Sequence, residues 1–390
     1  MENRPINLLF IVNSLTFGGA EKHVVTLLNN LDTARFRLSL AYLKNDEALL
    51  PQLDRKRLQG GAFCPRVSKK IDLRAARQLA EKIRDDAIDI VVCTNNYSLL
   101  YGWMARFMSV QRPRVIEIFH TTEIGSLRGR LEMLFYRPIF LVSHMLVYVC
   151  ESQRTYWRSR ALRARKDIVI HNGIDIDYFT DRTTAESKTA LRQSHGFSDD
   201  DYVIGLCAAM RTEKAHADLL EAIARLRADG LAAKCLLIGD GPQRPEIEKR
   251  IKELGLSSDV RITGFLADVR PTVAACDAMA IVSHHVETFS IAALEAMALG
   301  KPMVMSMIGG AAEQVVDGHN GYLYRRGDID ALARALRRLH DRMTCRQMGT
   351  RARATIVQRF SVDLMADAYA QLFVRLAQSP VPELEDFNAA

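Results

Sequence analysis

The sequence predicts an α/β protein made of two Rossmann-like, doubly wound parallel-sheet domains with a cleft between them. Three observations carry this. Short apolar runs alternate with helical patterns from end to end. The alternation breaks once, after HNGIDIDYF (171–179), in the polar stretch TDRTTAESKT, and restarts at YVIGLCA (202–208). The 390 residues also exceed one ordinary core, since single cores stop growing beyond about 250–300 residues. The break divides the chain into residues 1–175 and 176–361, with one more helical segment at about 362–378.

In the first part, INLLFIVNS (6–14), RLSLAYL (37–43), IDIVVC (88–93), RVIEIF (114–119), LVYVC (146–150) and DIVIHN (167–172) read as strands. Their Ile, Val and Leu make both faces apolar, as in parallel strands covered on both sides. Helical stripes separate most of them. Ala20, Val24, Leu27, Leu28 and Leu31 form one stripe, and Leu73, Ala76, Leu79, Ala80 and Ile83 another. In the second part the strands are YVIGLCA, KCLLIG (234–239), DVRITG (259–264), AMAIVS (278–283) and KPMVMS (301–306). DGHNG then turns into a further short strand. Strands alternating with helices imply right-handed βαβ units. Ligands of such sheets lie at the carboxyl ends of the strands, so chemistry is expected in the loops that follow them and in the cleft.

Several of those loops carry suitable residues. Gly18 and Gly19, before a helix starting near Ala20, let a ligand approach the helix amides, although a plain turn would also need glycine. No G-x-G-x-x-G follows the first strand, so a dinucleotide fingerprint is poorly supported. His120 ends the strand RVIEIF and faces the expected cleft, either as a ligand contact or as an ordinary loop histidine. Arg211 and Lys214 precede a helix whose dipole they oppose; a bound phosphate would offset that cost, and solvent exposure is the alternative. Gly239 and Gly241 follow another strand, and Phe265 and Leu266 stand where a planar base could be held.

The stretch HHVETFSIAALEAMALGKP holds Glu287 and Glu295, eight positions apart. It predicts a helix from about Ser290 to Leu299, capped by Thr288 or Ser290 and stopped by Gly300. Free amides near Phe289, Ser290 and Ile291 would face a phosphate. Glu287 would stand outside the helix mouth, and Glu295, about 80° round the helix, could flank the same cleft. The competing reading makes Glu287 a helix-dipole partner and Glu295 a surface residue. Two D-x-D pairs match a metal–diphosphate pattern but are not read as metal sites: Asp175 with Asp177 sits at the seam between the domains, and Asp328, with Asp330, is a good N-cap for a basic helix.

Composition sets bounds. Hydrophobic residues make up 48% and charged residues 25%, the balance of a globular protein. No apolar run is long enough to span a membrane, and the N-terminus reads as mature sequence. Seven scattered cysteines without a CxxC pair predict reduced thiols in a cytoplasmic protein and argue against zinc. Residues 1–175 hold 27 Lys+Arg against 17 Asp+Glu, a net of +10, and residues 176–390 hold 26 against 29, a net of −3. The basic first part suits an anionic partner, nucleic acid or an anionic membrane surface, or simply a solvated face.

Taken in order, GGAE, His120, VIHNGID, RTEK, IGDGP, ETFSIAALE with EAMALGKPMV, and the final GG..E..DG..G make a set. The chain resembles family 4 of the retaining, nucleotide-sugar-dependent glycosyltransferases, which have the GT-B fold. The resemblance implies an acceptor-binding first domain, a nucleotide-sugar-binding second domain, and a final helix crossing back onto the first. Arg211 and Lys214 would meet the diphosphate, opposite the amides of Phe289 and Ser290. Glu287 would hold donor-sugar hydroxyls, Glu295 the ribose, and Leu266 the base, while Gly19 approaches the phosphates and His120 the transferred sugar. Many relatives carry an arginine where this chain has Ala209, which leaves the role of Arg211 open.

The implied reaction moves a hexose-type sugar from a UDP- or GDP-sugar to a sugar or lipid-linked acceptor, with no metal or other cofactor. It implies a cytoplasmic enzyme of cell-surface polysaccharide or glycolipid assembly. Nucleic acid is not expected as a partner. The basic first domain, with RGRLEMLFYRPIF (128–140), suits a visit to the inner membrane face, unless that segment is an ordinary packed helix. A nucleotide-sugar epimerase or phosphorylase on the same architecture, or a non-catalytic protein binding anionic surfaces, are the rival readings.

Overall fold

The computed structural model describes residues 4–122, 124 and 127–378; the polar tail from residue 379 lies outside them. Two all-parallel sheets dominate. The first holds β1 (Ile6–Val12), β2 (Phe36–Tyr42), β3 (Ala62–Phe63), β4 (Ile90–Thr94), β5 (Arg114–Phe119), β6 (Met145–Tyr148) and β7 (Asp167–Val169). Their order across the sheet is β3-β2-β1-β4-β5-β6-β7. The second holds β8 (Tyr202–Cys207), β9 (Ala233–Ile238), β10 (Val260–Gly264), β11 (Ala278–Ile281), β12 (Met303–Ser306) and β13 (Gly321–Tyr324), in the order β10-β9-β8-β11-β12-β13. Each order reverses beside its first strand, and such a reversal opens a crevice at the strands' carboxyl ends.

The expected strands are all present, and one, the two-residue β3, was not foreseen. Their apolar runs are buried as parallel strands require. Leu8, Leu9, Phe10 and Ile11 of β1 have no exposed surface, nor have Ile90, Val91, Val92 and Cys93 of β4. Neighbouring strands start in step, with Ile6 opposite Phe36 and Leu8 opposite Ile90.

The helix Val362–Gln378 lies against the first sheet. Its Phe373 ring stands 6.2 Å from Phe10 and 5.9 Å from Phe36. The chain passes between the lobes twice, side by side: Ile174 accepts the Val362 amide and donates its own to Phe360, both at 2.9 Å. Gly173 is needed at this seam, because a Cβ there would lie 2.6 Å from the Ser361 carbonyl oxygen. One apolar core therefore runs from β1 through this helix and the seam to Phe289 and Leu294 of the second lobe.

Among the described residues no helix is long and apolar enough to cross a membrane. The seven cysteines are free thiols, five of them buried. The first D-x-D pair makes a turn, in which Asp175 accepts the amides of Asp177 and Tyr178. In the second, Asp328 caps the helix Ile329–Arg338 through the amide of Ala331.

Candidate functional site

The loops after the strands of both lobes meet in the cleft. From the second lobe comes the helix Ile291–Ala298, capped by Ser290, whose hydroxyl accepts the Ala293 amide. Gly300, at φ +71°, follows its end. The amides of Phe289 and Ile291 donate to nothing among the described residues. The Ser290 amide, expected to be free, instead donates to Gln314 Oε1 at 3.3 Å, while Gln314 returns its own N–H to the Ser290 carbonyl. The helix mouth thus offers Phe289 and Ile291, and Ser290 is committed to holding it in place.

Glu287 stands just outside this mouth. Its Oε2 accepts from Lys214 Nζ at 2.6 Å and from Ser283 Oγ at 3.1 Å. Lys214 ends a tight turn, Thr212–Lys214, and Ala215 then takes φ +48° to enter the helix His216–Ala228. Val286 sits at φ +56°, where a β-branched residue is strained, and such strain persists only where surrounding contacts impose it. Gly309 packs against the next residue so closely that a Cβ there would lie 1.8 Å from the Glu287 carbonyl oxygen. Arg211 is exposed and its side chain makes no hydrogen bond among the described residues.

The first lobe closes the other wall. Gly19 opens the helix Gly19–Asn30 and lies 3.9 Å, at its Cβ position, from Ile291 Cδ1, with Gly18 as its cap. His120 follows β5, and its main-chain carbonyl accepts Thr288 Oγ1 at 2.6 Å. Thr288 Oγ1 also lies 3.1 Å from Thr122 Oγ1, so Thr288 ties the lobes together rather than capping the helix. The His120 ring packs 5.0 Å from His23, and its Nε2 is buried with no hydrogen-bond partner among the described residues. Burial and the neighbouring His23 hold the His120 imidazole well below its ordinary pKa of 6.5, so it is neutral. Burial likewise brings His23 down to about 4.

Leu266 is partly buried against the shared core, and next to it Phe265 stands 57% exposed. Its ring lies 5.0 Å from that of Phe17 on the opposite lobe, giving an apolar rim where a flat ring could lie. Glu295 is no surface residue, because its side chain is 6% exposed. Its carboxylate is paired with Lys22 of the first lobe, a residue the sequence reading passed over.

Glu313 was also missed as an individual residue. Its carboxylate accepts the amides of Glu151 and Ser152 and the Nε2 of His171, each at 2.9 Å. It caps a first-lobe helix, Glu151–Ser159, from the second lobe. Burial pushes its pKa up, but the hydrogen bonds from His171 and the two amides outweigh that and hold it below 4.5. Both missed residues act between lobes, where sequence spacing carries no information. Lys22 did leave one trace: a cation in the first turn of a helix, where the dipole disfavours it.

Comparison with known proteins gives two family matches. One model, described as Glycosyltransferase Family 4, covers residues 17–178, and another, Glycosyl transferases group 1, covers residues 187–355. The chain is 27% identical over 315 residues to N-acetyl-alpha-D-glucosaminyl L-malate synthase of Bacillus anthracis, spanning 77% of this chain and 78% of that one. It is 36% identical over 163 residues to the lipopolysaccharide core biosynthesis glycosyltransferase LpsE of Rhizobium meliloti, covering 42% of this chain and 46% of that one. Among solved structures it resembles Anabaena HepE in complex with UDP, with a TM-score of 0.83, 23% identity, and coverage of 95% of this chain and 100% of that one.

Proposed function

Because the chain belongs to glycosyltransferase family 4 and has the GT-B fold, we propose that it transfers a hexose-type sugar, with retention, from a UDP- or GDP-sugar to an acceptor hydroxyl. The observation that carries this is one juxtaposition. Lys214 Nζ meets Glu287 Oε2 at 2.6 Å beside a helix mouth whose Phe289 and Ile291 amides are unengaged. A nucleotide sugar carries a diphosphate next to sugar hydroxyls. It would give the lysine and the amides an anion and the glutamate its donors at the same time.

In this reading the diphosphate lies against the amides of Phe289 and Ile291, with Lys214 opposite. Chemistry at the anomeric carbon passes through an oxocarbenium-like state while the leaving diphosphate gathers charge. Fixed amides and a cation stabilise that charge without having to reorganise. Arg211, exposed and unengaged, is free to swing onto the phosphates. Glu287 holds the sugar hydroxyls, and neutral His120 contacts the sugar from the other lobe. Glu295 receives the ribose, Gly18 and Gly19 leave room for the phosphates, and Leu266 with Phe265 borders the base. A phosphate oxygen of the donor takes the acceptor proton on the same face, so no side-chain base is needed. The reaction is proposed to need no metal, and turnover should survive EDTA.

The acceptor is proposed to bind the first lobe and to be sugar or lipid-linked, in polysaccharide or glycolipid assembly at the inner membrane face. The helix Leu127–Val142 supports this. It buries Met133, Tyr136 and Phe140 but turns Leu127, Leu131, Leu134, Phe135 and Leu141 outward, beside exposed Arg128 and Arg130. An exposed apolar stripe edged by arginines suits an anionic lipid surface.

The test is a panel of UDP- and GDP-hexoses followed by thermal shift and by release of the nucleoside diphosphate, with product anomers read by NMR. One donor should raise the melting temperature, because it binds only the folded chain, and should be consumed faster with an acceptor present. If no nucleotide sugar binds or is consumed, the proposal fails; consumption indifferent to every acceptor would favour an epimerase or phosphorylase.

A further inference from the structure

We infer that Lys22 belongs to the donor site: this first-lobe residue holds Glu295 in place for the ribose of a nucleoside diphosphate, so ribose recognition requires both lobes. The inference rests on the donor reading above. Lys22 lies in the first turn of the helix Gly19–Asn30, where its amide bonds the Gly18 carbonyl at 2.9 Å. Its Nζ crosses the cleft to Glu295 Oε1 and also stands 5.7 Å from the centre of the Phe179 ring.

Glu295 sits in an otherwise apolar stretch of helix, between buried Leu294 and Ala296. A carboxylate this dry needs a counter-ion, and Lys22 supplies it. The nearby Cys207 thiol, pushed up to about 12 by burial and by Glu295, with Lys22 opposing, stays protonated and competes for neither. Lys22 engages one carboxylate oxygen. The other, Oε2, accepts nothing among the described residues and is not sealed from water. A ribose offers two adjacent hydroxyl donors, which is what a half-used carboxylate can still receive. The lysine runs against its own helix dipole, and the contact with Glu295 offsets that cost. Gly18 caps and Gly19 opens this same helix, so one segment brings both the cation and the close backbone approach.

The test measures binding of UDP and GDP, and of their 2′-deoxy and 3′-deoxy forms, to the full chain by calorimetry, for the wild type, K22M and K22R. The wild type should prefer the ribose form by about tenfold or more over at least one deoxy form. K22M should bind the ribose form more weakly and lose that preference to within about threefold, whereas K22R should keep it. A lysine that only braces the fold would weaken both forms by one factor, and an unchanged ratio in K22M overturns the inference. Should K22M fail to fold, K22Q, which loses the charge, carries the same comparison. Absence of nucleotide binding by the wild type would defeat the donor reading itself, whereas equal discrimination by wild type and K22M defeats only the role of Lys22.

Discussion

Replacing Glu287 with alanine should separate catalysis from folding. Its carboxylate takes Lys214 at 2.6 Å and Ser283 at 3.1 Å, and the pair's side chains are 13% and 21% exposed for Glu287 and Lys214. Exposed ion pairs contribute up to about 1 kcal/mol, and breaking a fully buried one costs about 3–5 kcal/mol. This partly wet pair falls between them, at about 1–2 kcal/mol after discounting for solvent. At roughly 2–4 °C per kcal/mol the melting temperature should drop by about 2–8 °C, leaving a folded chain at room temperature. The kinetic loss should be larger. The donor hydroxyls lose a charged acceptor worth about 1.5–3 kcal/mol, and Lys214 loses the partner that aims it. Together these predict a fall in kcat/KM of about 10²–10³. The assay is nucleotide release by the wild type, E287A, K214A and the double variant with one accepted donor. Residues acting as a unit are not additive, so the double variant should be within about tenfold of the worse single one. Turnover by E287A within about threefold of the wild type, or full additivity, would refute the assigned roles.

Three further outcomes follow from the geometry. His120 has a folded pKa well below 6.5, so it is uncharged from there upward, and its stability contribution is complete above 6.5 and declines as pH falls towards the folded value. The kcat profile should therefore show no inflection near 6.5 that disappears in H120Q; finding one contradicts the neutral imidazole. E313Q weakens three inter-lobe hydrogen bonds and should lower the melting temperature by about 2–5 °C and raise donor KM. Since the folded pKa of Glu313 is depressed, the wild type's advantage is present above 4.5 and should shrink as pH falls below it; a constant gap down to about pH 3 would argue against a stabilising role for the Glu313 carboxylate between the lobes. Changing Leu131, Leu134 and Phe135 to glutamine should cut sedimentation with phosphatidylglycerol vesicles by about tenfold or more, and a wild type that ignores those vesicles would remove the membrane from the account.

Much of the fold was legible because burial on both faces leaves a plain mark: runs such as LLFIV and IVVC have no polar side to mistake for a surface. β3 was not, since two residues are too few to show a period. Local features of the site were also legible. The Ser290 cap, the Gly300 stop and the placement of Glu287 at the helix mouth depend on neighbours only a few residues away. What escaped depends on distant neighbours. Gln314 takes the Ser290 amide from 24 residues on, and Lys22 reaches Glu295 across 273. Thr288, a plausible cap by position, gives its hydroxyl to the His120 carbonyl instead, 168 residues away in sequence.

The central claim is that a diphosphate rests between Lys214 and the mouth of the helix Ile291–Ala298. A crystal structure with the accepted nucleotide sugar, or an inert analogue, tests it most directly. The account predicts phosphate oxygens within hydrogen-bonding distance of the Phe289 and Ile291 amides and of Lys214 Nζ, with sugar hydroxyls on Glu287. A nucleotide bound elsewhere, or one at the cleft with its phosphates turned away from Lys214, would contradict it.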